Sequence, residues 1–278
     1  MFRKFPGSIK QPINYLLELV CPENPFKKMG LSNCEYSKID KHQVVRPSSA
    51  SIFGKSISFQ GGYWFLYSLN EIFLEEVYKF ESSNPKPLIL DCGANIGLSV
   101  IYFKMLFPGS RIIAYEPDLE IFRTLKKNLS QFDYPDVDLI NKAVWTCETE
   151  LDFYAEGTLG GRIEELSSDR PFIKIKTDRL KDRLKEKVDF LKLDIEGAEY
   201  EVLLDCGEEL KNVELLFFEY HGDRNKKERK LEDLLKVISE AGFRYYIKES
   251  FPIVRLPFVE KGPKDFFDLL LNVFCYRN

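Results

Sequence analysis

At 278 residues with 44% hydrophobic side chains, the chain can form one large domain, or one domain with a small addition, around a sizeable core. A formal net charge of −4 leaves no global basic surface for a polyanion, so nucleic acid is excluded as a partner. Six cysteines, at 21, 34, 92, 147, 206 and 275, form no C-x-x-C pair and have only two histidines beside them, which excludes a zinc finger and reads as small, reduced core residues.

Residues 1–50 lack a clear period and hold a short helical candidate near 12–20. They are expected to form an N-terminal extension that anchors on the main body or touches a substrate or partner. The run from Ile13 to Val20 is short, contains Glu18 and has no small-residue cleavage site. No stretch approaches the roughly 20 apolar residues of a membrane helix, so a cytoplasmic location is expected, with room for peripheral contact with a lipid-linked substrate.

Residues 51–84 read as a lid segment. The stretch 52–59 alternates and predicts a hairpin, Gly61-Gly62-Tyr63-Trp64 follows, and 69–80 is helical in part. Aromatics here are placed to wall a pocket, though core packing accounts for any single one as well.

From residue 85 a βα alternation runs almost to the end. Strands are predicted at 88–91, 111–115, 137–144, 188–194, 213–220, 243–248 and 271–276, with shorter ones at 150–154 and 172–176 around a glycine loop that includes Arg162. Helices are predicted at 98–107, 119–130 and 226–241. Short apolar strands separated by helices imply an α/β, Rossmann-like, mostly parallel sheet with helices on both faces and the last strand returning antiparallel.

The chain is organised around Leu88-Ile89-Leu90-Asp91-Cys92-Gly93-Ala94-Asn95-Ile96-Gly97, a buried strand, a glycine turn and a helix start. Ligands in such sheets sit beyond the carboxyl end of the first strand. A dinucleotide site would carry a glycine where Asn95 stands, and Asp91 adds a negative charge that suits an ammonium or sulfonium over a diphosphate. Both points favour S-adenosylmethionine, with S-adenosylhomocysteine as product, over NAD. Glu116, 19 residues beyond Gly97, ends the second strand where an acid can accept hydrogen bonds from both ribose hydroxyls. Pro117 follows it, and Ala143 and Val144 are expected beside the adenine. Asp194-Ile195-Glu196-Gly197-Ala198-Glu199 packs three carboxylates into six residues, a clustering that is costly unless cations, protons or a metal compensate it. Glu219-Tyr220-His221 adds an acid and an imidazole that titrates near neutrality and could take a proton, although a structural histidine is an even alternative.

The run from Phe53 to Asn278 resembles the FkbM-type family of class I S-adenosylmethionine-dependent methyltransferases. Leu90–Ser99, Tyr115-Glu116-Pro117, Asn141-Lys142-Ala143-Val144 and above all Leu191–Glu199 carry the resemblance. It implies a seven-stranded sheet and O-methylation of a hydroxyl, often on a sugar or a secondary metabolite. Cys92, where the family often has an apolar residue, is a mild departure, and residues 1–50 are not covered.

These readings place Asp91, Gly93, Asn95, Gly97, Glu116, Pro117, Ala143, Val144 and Asp194 at the cofactor. Asp194, Glu196 and His221 are expected at the reacting end, and Tyr63, Trp64, Arg162, Glu219 and Tyr220 around the acceptor, with Tyr246 as a further stacking ring. A sugar hydroxyl in a glycan or lipid-linked oligosaccharide is the preferred acceptor. A small secondary metabolite, or a non-catalytic nucleoside-binding role, are the alternatives. Asp194, Glu219 and His221 form an oxygen-rich set that would suit magnesium, but the reading without a metal is preferred.

Overall fold

The computed structural model describes residues 23–41, 47–155, 161–163, 172–223, 226–250, 256, 258–259, 267 and 269–277. The helical candidate near 12–20, most of the loop 157–162 and Cys21 lie outside them.

A helix, α1 (Asn33–Lys41), leads to an antiparallel hairpin of β1 (Pro47–Ile52) and β2 (Lys55–Gln60). Gly61, at φ +71°, turns the chain directly into α2 (Gly62–Leu69), extended by a wider turn over Asn70–Leu74. The helix therefore begins earlier than 69, because Phe65, Leu66, Leu69 and Ile72 recur at helical spacing and are all buried.

The main sheet is built from β3 (Leu88–Cys92), β4 (Arg111–Tyr115), β5 (Val137–Ile140), β10 (Val188–Leu193), β11 (Val213–Gly222), β12 (Arg244–Glu249) and β13 (Leu269–Tyr276). Its order is β12-β13-β11-β10-β3-β4-β5, with β13 antiparallel to both neighbours and the pairs from β11 to β5 parallel. This is the expected Rossmann-like, mostly parallel seven-stranded sheet. α3 (Leu98–Leu106), α4 (Leu119–Leu129) and α5 (Glu199–Cys206) connect the parallel pairs β3–β4, β4–β5 and β10–β11, and α6 (Leu231–Glu240) leads from β11 to β12.

Alternation along the strands sorts the core onto two faces. Ile89, Ile112, Ala114, Phe190 and Phe217 pack with α2, α3, α4 and the hairpin. Leu90, Ile113, Leu191, Leu193, Leu216 and Phe218 pack with α5 and α6. Strands buried on both faces need near-continuous apolar runs, and these have them.

The strand expected over 137–144 is instead two. β5 stops at Ile140, and Asn141 donates Nδ2 to the carbonyls of Glu116 (2.9 Å) and Pro117 (3.0 Å), which turns the chain out of the sheet. β6 (Ala143–Trp145) then joins a second sheet with β7 (Glu150–Ala155), β8 (Gly161–Ile163) and β9 (Ile173–Arg179), in the order β6-β9-β7-β8. Cys92, Cys206 and Cys275 are free and buried as expected, whereas Cys34 and Cys147 are free but exposed, a correction to the core reading. Among the described residues no helix is long and apolar enough to cross a membrane.

Candidate active site

The site lies at the carboxyl ends of β3, β4, β10 and β11. Gly93 (φ +87°) is obligatory there: a Cβ on it would lie 1.8 Å from the Asp194 carbonyl oxygen, while the Asp194 N–H donates to the Cys92 carbonyl at 3.1 Å. Two strand tips can meet this closely only at glycine. Asn95 takes a left-handed conformation (φ +48°) that asparagine tolerates, and its N–H donates to Glu116 Oε2 at 3.0 Å. The Asp118 N–H donates to Glu116 Oε1 at 2.9 Å, so this carboxylate ties the first turn to the end of β4. Burial pushes the Glu116 carboxyl up to about 8, against the pull of those two N–H groups.

Asp91 does not line the cavity. It is fully buried, accepts a hydrogen bond from the Ser99 hydroxyl (2.5 Å) and stands 3.3 Å from Lys192 Nζ, its direct partner in the β3–β10 pairing. Its charge is thereby matched inside the protein. Lys192 also donates to the Gly93 carbonyl (2.8 Å) and lies 3.5 Å from Asp194 Oδ2. Burial disfavours its ammonium, but Asp91 and Asp194 outweigh that and hold it charged. Gly97 (φ +93°) likewise sits behind the wall, where a Cβ would press on Leu125.

At the other end, Ile195 and Gly197 donate their N–H groups to Glu199 (2.7 and 2.8 Å), and His221 Nδ1 lies 3.1 Å from Glu199 Oε1. His221 Nε2 stands 3.4 Å from both Glu196 Oε2 and Glu219 Oε2. Burial opposes a charge on His221, yet Glu199, Glu196 and Glu219 raise its pKa well above the ordinary value. Glu196 is pushed up to about 8 by burial, with His221 pulling it down and Asp194 adding repulsion. It is also a non-glycine residue at φ +57°, and such strain concentrates where function requires it. Glu71, just after α2, rises to about 7 through burial and then the charges of Glu219 and Asp194.

A cavity of about 1330 Å³, its open mouth included, joins these groups. Gly93, Asn95, Glu116, Pro117, Ala143 and Val144 line one end, and Asp194, Glu196, Glu219 and Glu71 the other. Phe59, Trp64, Phe65 and Tyr67 cover them from the hairpin and α2.

Not all expected residues join it. Tyr63 is half exposed and outside the lining, Tyr220 is buried with its hydroxyl donating to the Arg229 carbonyl (2.9 Å), and Tyr246 is exposed on β12. His221 stands behind Glu196 and Glu219 rather than on the wall. Arg162 is on β8 opposite Tyr154, with its side chain outside the described structure. Lys192 and Glu71 were not anticipated. A lysine inside the apolar run of β10 is the signal that could have found the first, since a buried ammonium demands partners; Glu71 has no local signal.

Among the described residues six carboxylates line the cavity (Glu71, Glu116, Asp118, Asp194, Glu196, Glu219) against two lysines, Lys142 and Lys192. Both lysines are paired, Lys142 with Asp178 and Lys192 with Asp91. Residues 91–245, which include every strand tip just described, match the methyltransferase FkbM domain. The chain belongs to that family.

It is therefore an FkbM-domain methyltransferase. It is 30% identical over 212 residues to methyltransferase sdnD of Sordaria araneosa, covering 61% of this chain and 80% of that protein. It is 27% identical over 158 residues to the 2-O-methyltransferase NoeI of Sinorhizobium fredii, covering 49% of this chain and 64% of NoeI. The crystal structure of an FkbM methyltransferase from Methylobacillus flagellatus aligns with 87% of this chain and 51% of that one, at 18% identity and a TM-score of 0.47.

Proposed function

We propose that this FkbM methyltransferase transfers the methyl group of S-adenosylmethionine to a hydroxyl of a sugar, in a glycan or a lipid-linked oligosaccharide. The carrying observation is that one cavity holds Glu116 and the 93–97 turn at one end and Asp194, Glu196 and Glu219 at the other. The donor set fits the cofactor: carboxylates are available for ribose hydroxyls and for cationic groups, and both lining lysines are paired. Bound there, S-adenosylmethionine supplies a sulfonium-activated methyl group.

Glu116 and the turn hold the nucleoside, and Ala143 and Val144 offer an apolar face for its base. Asp194 stands at the reacting end. Glu196, on the cavity wall and with its carboxyl pushed up to about 8, takes the acceptor proton, with His221 standing behind it. Orientation of the acceptor contributes most, because the methyl donor needs only a nucleophile in line. Trp64 and Tyr67 offer ring faces to a sugar. The name of NoeI supports transfer to oxygen.

Calorimetric titration with S-adenosylmethionine, followed by transfer of a labelled methyl group to a panel of glycans, tests this reading. Binding with turnover that drops at least about 10²-fold in Asp194→Asn and Glu196→Gln is expected. Binding without turnover on any glycan favours the non-catalytic alternative. A thermal shift with NAD and none with S-adenosylmethionine would overturn the cofactor assignment.

A further inference from the structure

Glu219 and His221 lie two residues apart on β11 and so project to the same side of the sheet, toward Asp194 at the end of β10. One ligand atom from each of Asp194, Glu219 and His221 falls within 4.8 Å of the others. Donor atoms sharing a divalent ion at about 2.0–2.2 Å stand about 3–4.5 Å apart. The 3.4 Å between His221 Nε2 and Glu219 Oε2 is such a spacing, and is long for a charge-assisted hydrogen bond of about 2.7–2.9 Å.

The imidazole is oriented for this use. His221 Nδ1 faces Glu199, which is itself fixed by the N–H groups of Ile195 and Gly197, and the ring packs on Phe267 with centroids 4.7 Å apart. A carboxylate on one ring nitrogen leaves the other directed at a ligand, as in carboxylate–histidine–metal arrangements. A second observation is independent of that ring. Asn272 is 3% exposed and sits directly across from Glu219 in the β11–β13 pairing, so both side chains share one face. Its Nδ2 donates to Glu71 (3.2 Å), while its Oδ1 is buried with no hydrogen-bond partner among the described residues. An orphaned buried acceptor beside a group of carboxylates has room for a donor or a cation.

We propose that Asp194, Glu219 and His221 bind one divalent cation, Mn²⁺ or Mg²⁺, at the acceptor end of the cavity, with Glu199 as the positioning residue for His221. One imidazole among carboxylates suits these ions. Orientation of an acceptor hydroxyl by the cation rests on the function proposed above; the binding of the cation does not.

The test is titration of the chelator-treated full chain with Mn²⁺, read as loss of the free-ion paramagnetic resonance signal. One Mn²⁺ per chain is expected, displaced by excess Mg²⁺. Affinity falls at least tenfold in Asp194→Asn and in Glu219→Gln and is unchanged in Glu214→Gln, an exposed position on β11. In the unmutated chain, electron spin-echo spectra should show nitrogen coupling from His221, a readout that does not depend on a variant folding. A free-ion signal undiminished at millimolar Mn²⁺, binding without nitrogen coupling, or equal binding by the folded variants would overturn the proposal. Titration with S-adenosylhomocysteine in metal-free buffer separates the two readings: failure there with Mn²⁺ bound removes the methyl-transfer assignment, and success with Mn²⁺ ignored removes the cation site.

Discussion

Gly93 and the Asp194 carbonyl oxygen are so close that one added carbon would lie 1.8 Å away. The contact joins the end of β3 to the end of β10, and the 93–97 turn to the acid cluster. Gly93→Ala therefore meets backbone, which cannot swing aside as a side chain can, and it also strains a φ of +87°. A loss on the order of 3 kcal/mol or more in urea denaturation is expected, with S-adenosylhomocysteine binding abolished. A variant that keeps both would show that the strand tips can separate freely.

Lys192→Met should be worse than its isosteric size suggests. It leaves Asp91 fully buried without its cation, and breaking such a pair by removing one partner costs about 3–5 kcal/mol. The double variant Lys192→Met with Asp91→Asn should recover part of that loss. Equal stability of the single and double variants, measured by chemical denaturation, would contradict the pairing.

Glu116 gives the apo protein a specific pH signature. Its folded pKa of about 8 lies above the ordinary carboxyl value, so its contribution to stability is complete below about 4.5 and is lost as pH rises through 8. Glu116→Gln removes that dependence, at a fixed cost from one lost acceptor for the Asn95 and Asp118 N–H groups. Melting curves from pH 5 to pH 9 should therefore show the variant gaining on the wild type by a few kcal/mol as pH rises. A constant difference across that range would place the Glu116 carboxyl in the ordinary range. Cofactor affinity should fall in the variant at every pH.

Asn128 fastens the hairpin to the 93–97 turn. From α4 it donates Nδ2 to the carbonyls of Ser58 and Ile96 (both 2.9 Å) and accepts the Ser58 N–H at 2.8 Å. Asn128→Leu strands these backbone groups, at about 1–3 kcal/mol for each one left buried and unpaired. Faster hydrogen exchange at the Ser58 amide is expected, together with a raised KM for the acceptor, since β2 carries Phe59 over the cavity. Unchanged exchange would show that packing alone holds the hairpin.

Local chemistry was sufficient for much of this molecule. β3, β4, β10 and β11 are legible because strands buried on both faces need unbroken apolar runs, and the place of Glu116 follows from chain spacing to a glycine turn. Pairing between distant segments was not legible, because it depends on which charges the sheet order brings side by side. Asp91 read as a free charge at a strand tip, yet the β3–β10 register sets it against Lys192. The 137–144 run read as one strand, yet Asn141 finds two carbonyls beyond β4 and bends the chain away. Tyr220 read as a stacking ring, yet the twofold alternation of β11 points it into the core while Glu219 faces the cavity. The acid cluster is the sharpest case: the order Asp194 to Glu199 is written in the chain, but the assembly of Glu71, Glu219, His221 and the orphaned Asn272 Oδ1 around it arises only when β11 and β13 pair and α2 folds over them.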